Sequence, residues 1–331
     1  MLQDIFKTDK WINAGNGCIN IQRDLDEKSI RQILKEKNLF QVQFYNRPSP
    51  KTWDLLNQYL LSERPDVYLR LTRYEEPLTD LDFLLKMNNL EHLYLDLFDL
   101  NDLSKIGGLK NLKGLILSET KSKSYSLKPI SRLEKLNYLQ VSGLNKEIES
   151  LSQLRNINEL TLRSLTLDNL DFLSTYENLE KLHVILGGTK NYNALINLPN
   201  LKYLELWQVR QLSDIEFISE LKNLEFLQLS SLRNIARLPD FTNSHKLRKL
   251  IFDTLKGLED ISTIGKIESL EEILFVAANN LTPEQFKVLK NCKNLRMATV
   301  GFGSDRKNKE FEQFRDSLGV DKYDWKKSKY N

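Results

Sequence analysis

The sequence predicts an α/β solenoid, in which short parallel strands stack side by side and each strand returns through a tight turn or short helix. Three observations predict it. First, a six-residue frame, L-x-x-L-x-L, recurs along the chain; its last slot falls at Ile21, Phe44, Leu71, Leu95, Leu117, Val141, Leu162, Val184, Leu206, Leu229, Phe252, Phe275 and Val300. Successive slots lie 21–27 residues apart, and a fixed period in the twenties marks a stacked repeat. Second, the apolar spacing changes from two to three after each frame, so every unit contains two kinds of backbone. Third, one such unit is too small to bury its own flanks, and stacking lets neighbours share burial and ladder hydrogen bonds.

The stretch LKYLELWQVRQLSDIEFISELKN, Leu201 to Asn223, shows both spacings. Leu204 and Leu206 alternate, which predicts a strand with one buried face. Leu212, Ile215, Ile218 and Leu221 follow at every third residue. Three is the period at which side chains of a 3₁₀ helix eclipse. The later units repeat it as Ile235/Leu238/Phe241 and Leu258/Ile261/Ile264/Ile267. Each unit therefore reads as a strand, a corner and a return on the opposite side.

L-x-x-L-x-L at this period, followed by threefold-spaced apolar residues, resembles the leucine-rich-repeat family. Phrases such as DIEFISELKNLEFLQL and NLDFLSTYENLEKLHV are most similar to its short-repeat bacterial, internalin-like or phosphatase-regulator-like members. The resemblance covers Val67 to Gly303 strongly and the first 65 residues weakly. It implies a horseshoe or arc, with a concave parallel sheet and short 3₁₀ or α elements on the convex side. One departure concerns the ninth slot, where the family usually carries a hydrogen-bonding Asn. This chain has Phe98, Thr120, Leu144, Leu165 and Val209 among the residues there, so the usual Asn ladder is missing from that slot.

A solenoid must cap its open ends. Residues 1–65 are expected to form an N-terminal capping region of two helical repeat-like units, 66–303 the repeats, and 304–331 a capping helix with a basic tail. Ile30, Ile33 and Leu34 share one helical face. Ser49 reads as an N-cap before Pro50, with Trp53, Leu56 and Leu60 on one face. Thr282 to Gln285 reads as a capping box that opens a helix bearing Phe286 and Leu289. Phe311, Phe314 and Leu318 line the last helix, which stops at Gly319. The tail DWKKSKYN is expected to be mobile.

Composition narrows the function classes. The chain has 331 residues, 40% hydrophobic and 28% charged, with 48 basic against 45 acidic side chains, a net charge of +3. That balance argues against a nucleic-acid partner. No apolar run is long enough to span a membrane, and the N-terminus lacks the apolar core of a signal peptide. Cys18 and Cys292 lie at opposite ends of the chain and are expected to stay unpaired in a reducing cytoplasm. His92 and His183 fall on outward strand slots several units apart, too far to share a metal or a triad. The glycine turns Gly15-Asn16-Gly17 and Gly301-Phe302-Gly303 lack the context of a phosphate cradle. No catalytic, cofactor or metal residues are assigned, and an enzyme is not expected.

One cluster does point to function. Trp207 occupies a slot that the pattern assigns to solvent on the concave side. Aligning strands about 4.8 Å apart brings Ile185, Tyr203, Trp207, Phe226 and Ile251 together, rimmed by Lys181, His183, Glu205 and Lys249. A contiguous aromatic patch with a charged rim is the composition of a binding hot spot. The expected function is non-catalytic: a monomeric module, of adaptor or inhibitor/immunity type, holding a protein or peptide partner on this face. The alternatives are an internalin-like surface adhesin and the recognition part of an effector enzyme.

Overall fold

Alternating apolar residues form a strand only where a neighbouring strand completes its hydrogen bonds, and here each frame finds that neighbour in the next unit. The computed structural model describes residues 10–72, 78 and 80–329. It divides into two units, Met1–Ile157 and Asn158–Asn331.

In the first unit, β1 (Trp11–Gly15) and β2 (Cys18–Ile21) form an antiparallel hairpin. Its turn uses left-handed backbone at Gly15, Asn16 and Gly17, which suits a tight reversal. The sequence frame begins at β2 and misses β1. Parallel pairing then runs through β3 (Gln41–Phe44), β4 (Tyr68–Leu71), β5 (His92–Leu95), β6 (Gly114–Leu117) and β7 (Tyr138–Ser142). The frames at Ile21 and Phe44, in the weakly matching part, and at Leu71 are thus real strands. Helix α1 (Glu27–Ile33) follows β2, capped by Asp26, whose Oδ1 accepts from the Ser29 N–H at 2.8 Å. Hydrogen bonds from Lys10 and Ser29 hold the Asp26 carboxyl well below the usual range. Helix α2 (Pro50–Leu55) follows β3; Ser49 stands at its N-cap without donating or accepting a side-chain cap bond. Trp53 of this helix packs between Phe44 and Phe83, at centroid distances of 4.7 and 4.5 Å.

In the second unit, parallel pairing links β8 (Glu159–Arg163), β9 (Lys181–Ile185), β10 (Tyr203–Trp207), β11 (Phe226–Ser230), β12 (Lys249–Asp253), β13 (Glu272–Phe275) and β14 (Met297–Val300). A two-residue strand, β15 (Asp321–Lys322), adds parallel to β14; no repeat frame marks it. The unit is capped by α3 (Asp305–Ser317), whose Phe311 is buried against Phe286 and Phe302. Among the described residues, no helix is long and apolar enough to cross a membrane.

Most returns of this unit are 3₁₀ helices, as the threefold spacing predicts: Asp171–Thr175, Asn193–Asn197, Glu216–Glu220, Ser262–Lys266 and Pro283–Asn291. Their starts have a local cause. Asn169, Asn191, Asp214 and Asp260 each accept the N–H two residues ahead, at 2.8–3.0 Å. Such side-chain turns pre-set the corner. The return between β11 and β12 lacks a helix, yet Asp240 accepts the Thr242 N–H in the same way. Its hydrogen bonds to Thr242 and Lys266 hold the Asp240 carboxyl down at about 2. Thr282 and Gln285 form the expected capping bond, Thr282 N–H to Gln285 Oε1 at 2.9 Å, but the helix it opens is 3₁₀ rather than α.

Two features stand in for the missing ninth-slot Asn. First, the residue after the strand adopts left-handed backbone at Ser164, Leu186, Gln208, Ser231 and Thr254. The N–H groups of Ser164, Leu186, Gln208 and Ser231 donate to the last strand residue of the next repeat at 2.8–2.9 Å. Second, an Asn ladder exists one residue before the frame. Asn200 and Asn223 donate Nδ2–H to Glu177 and Pro199 carbonyls, both at 2.7 Å, and Asn294 does the same to Glu268 at 2.8 Å. Lys246, at the same slot, donates instead to Asn223 Oδ1 at 2.6 Å.

Both features have measurable consequences. Asn223→Ala removes two of these links and is expected to destabilise the protein by about 1–2 kcal/mol in denaturant unfolding. Thr254→Gly should act in the opposite direction. A β-branched residue with φ of 52° is strained, and its relief outweighs the added flexibility by about 0.5–1 kcal/mol. An unchanged or lower midpoint for Thr254→Gly would show that the turn is not strained.

Candidate functional site

The strand register decides which side chains meet on the face opposite the returns. Tyr203 lies beside Lys181 on one side and Phe226 on the other; Glu205 beside His183 and Gln228; Trp207 beside Ile185 and Ser230. The intervening Leu204 and Leu206 are fully buried. The sequence columns therefore agree with the register across β9, β10 and β11.

The middle column is a polar spine. His183 Nδ1 lies 2.7 Å from Glu205 Oε2, and Gln228 Nε2–H donates to Glu205 Oε1 at 3.0 Å. Glu159 closes the other end, with Oε1 3.8 Å from His183 Nε2 and Oε2 3.5 Å from Lys181 Nζ. Both oxygens of Glu205 are thus engaged. A carboxylate held this way fixes the positions of its neighbours. Among the described residues, no group of three or more His, Cys, Asp or Glu side chains is placed to hold a metal ion.

The first column is aromatic. The Tyr203 ring lies 4.8 Å from His183 and 4.5 Å from Phe226, edge-on to the latter. Burial, together with Glu205 and Glu159 nearby, pushes the Tyr203 hydroxyl far above its ordinary value, so it remains a neutral donor. Lys249 Nζ sits 4.5 Å above the Phe226 ring, a cation–π contact. Trp207, at the edge of the cluster, is 38% exposed, while its neighbour Ile185 is half-buried. Tyr203 and Phe226 therefore pack edge to face, with Trp207 at the margin of the pair.

Two expected members do not stand on an open surface. Lys249 is 1% exposed and Ile251 is 4% exposed. The cause is the tail: contrary to the expectation of a mobile segment, Tyr323, Trp325 and Ser328 pack on the sheet. After β15 the chain turns back over β14, β13 and β12. Tyr323 packs with Ile251, Leu274 and Met297 in one apolar cluster that Phe226 also touches. Trp325 packs edge-on to Tyr323 at 5.1 Å, with Lys249 Nζ 5.4 Å from its ring. Ser328 Oγ accepts from Lys249 Nζ at 3.0 Å and donates to Glu272 Oε2 at 2.5 Å. Lys329 N–H donates to Glu272 Oε1 at 3.1 Å, and Arg296 Nη2 pairs with the same oxygen. Glu272 is fully buried. Burial pulls the Lys249 ammonium below its ordinary value, opposed by Glu272.

The structure thus brings Lys181, His183, Ile185, Tyr203, Glu205, Trp207 and Phe226 onto one accessible face and places Lys249 and Ile251 beneath the tail. Sequence reasoning missed Tyr323, Trp325 and Ser328. The two aromatic residues two apart in the tail were the available signal.

No protein-family model matches the sequence, and no curated protein does. Solved structures match by fold. An internalin from Listeria monocytogenes aligns with a TM-score of 0.50 at 18% identity, over 84% of this chain and 85% of that one. A second internalin from that organism gives 0.43 at 22% identity, over 66% of this chain and 84% of its own. A leucine-rich-repeat protein from Leptospira interrogans gives 0.43 at 21% identity, over 92% and 93%. The first internalin match, with the repeated strand and 3₁₀ units, shows that this chain has the leucine-rich-repeat solenoid fold.

Proposed function

We propose that this chain is a non-catalytic binding module, of adaptor or inhibitor/immunity type, that holds a protein or peptide partner on the concave strand face of its second unit. The observation that carries the reading is Trp207: a large apolar side chain left exposed at a slot where the repeat is satisfied by Ser230 or Asp253. Tyr203 and His183 fix the floor beside it, so the face is ordered before binding and little ordering entropy is lost on association. Each oxygen of Glu205 is engaged by a neighbour on the same face, and Cys292 is buried, its thiol pushed up to about 11. These features favour binding over catalysis. Cys18 and Cys292 are both free, which suits a reducing cytoplasm.

The test is comparative capture from a lysate of the native host. Wild type and Trp207→Ala are immobilised at equal, verified folded amounts. A protein retained by wild type and lost by Trp207→Ala supports the reading. A partner retained equally by both would refute it.

A further inference from the structure

Residues Asp321–Lys329 sit on β12–β14 as a bound peptide would. They enter by extending the sheet with one short strand, β15, and then lie across side chains of three strands. Two aromatic rings two residues apart fill the apolar slot over Ile251 and Leu274 and the cation slot over Lys249. A hydroxyl and a backbone N–H then satisfy both oxygens of the buried Glu272. Basic side chains follow: Lys329 Nζ lies 3.5 Å from Glu271.

The covered and open areas are continuous. A run of ring and cation contacts leads from Trp325 through Lys249 to Phe226, Tyr203 and His183. The grip on the tail is also of a releasable kind. Trp325 is 56% exposed, β15 contributes only two residues, and the covered Lys249 and Glu272 are charged groups that water can solvate once uncovered.

Building on the reading above that this face holds a peptide or protein, we infer that it recognises an aromatic-x-aromatic segment followed by basic residues. The chain's own tail occupies the β12–β14 part of that surface as a tethered competitor. A partner segment of this chemistry displaces the tail, extends the sheet at β14 and ends beside Phe226, at the border of the open patch. Tethering sets the terms of competition. A tail held near its site acts at about millimolar effective concentration, so a free segment must bind well below that to replace it.

The experiment uses the 331-residue chain and a fluorescein-labelled synthetic peptide of residues 320–331, VDKYDWKKSKYN. In the Tyr323→Ala/Trp325→Ala variant the tail has lost both anchors. The labelled peptide is expected to bind this variant roughly ten-fold or more tightly than wild type, because its competitor is gone. A peptide with both aromatics replaced by Ala should bind neither. Single Trp325→Ala, at an exposed position, provides an intermediate opening if the double variant melts early. Equal binding to wild type and both variants, or no binding to either variant, would overturn the proposal and leave the tail a permanent cap. A concentration-dependent dimer of wild type, lost in the double variant, would overturn it in favour of tails exchanged between copies. Trp207 lies outside the peptide's footprint. Capture that proves insensitive to Trp207→Ala therefore bears on the binding reading, and peptide binding bears on the tail.

Discussion

Trp207→Ala is expected to reduce partner affinity by about 30-fold to 1,000-fold, the roughly 2–4 kcal/mol typical of an anchor in a hot spot. Its melting temperature should fall less than that of Phe226→Ala, because Trp207 is 38% exposed and sits at the edge of the cluster. Phe226→Ala is the contrasting case. That ring is clasped by Tyr203 at 4.5 Å and Lys249 at 4.5 Å and touches the apolar cluster under the tail. Its truncation should cost about 2–3 kcal/mol of stability, less than a fully buried Phe but well above a surface change. Affinity and melting, measured for both variants, separate an anchor from a packing residue. Loss of stability in Trp207→Ala comparable to that in Phe226→Ala would show that Trp207 packs rather than binds.

The second large effect is at Glu272. It is fully buried and serves Lys249, Arg296, Ser328 and the Lys329 amide together. Glu272→Ala leaves Lys249 cationic and enclosed without its carboxylate, a situation that typically costs about 3–5 kcal/mol. Adding Lys249→Met should recover much of that loss, since an apolar pair of similar volume avoids the buried charge. The pH dependence of the single variant follows from the direction of the lysine shift. Burial already lowers the Lys249 value, and Glu272 is the group that opposes it. Removing Glu272 lowers the folded value further, so between that value and the ordinary lysine value the unfolded chain binds more protons. Stability of Glu272→Ala should therefore rise with pH across that window. Denaturant midpoints measured from neutral to alkaline pH check this; a flat profile would show that Lys249 escapes to solvent when its partner is removed.

The sequence by itself determined the repeated part of this protein. Strand faces, 3₁₀ returns and the registration of Tyr203 with Phe226 and of Glu205 with His183 all followed from spacing, because a side chain in a solenoid meets its own strand and the strands one period away. The weak frames at Ile21 and Phe44 held for the same reason. The exposed Trp207 was legible as an exception to that spacing. The displaced Asn ladder was also written there, in N-L pairs such as Asn200-Leu201, Asn223-Leu224 and Asn294-Leu295, but at a slot where the familiar pattern does not look.

Only the tertiary structure decided what lies on the face near β12 to β14. The tail's bonds to Lys249 and Glu272 span 79 and 56 residues, several periods at once, and no periodic signal encodes a contact of that kind. By pattern alone Lys249 and Ile251 are outward slots, open to solvent. Their burial depends on a terminal segment whose short β15 has only two residues, too few for alternation to show. The basic residues that made the tail look mobile are solvated around a pair of aromatic anchors, and such anchors are recognisable only once the groups they pack against are known. Local spacing can specify a scaffold because every unit tests the same contacts. A single long-range closure is tested once, by whether its rings, hydroxyl and amide together compensate the buried charges beneath them.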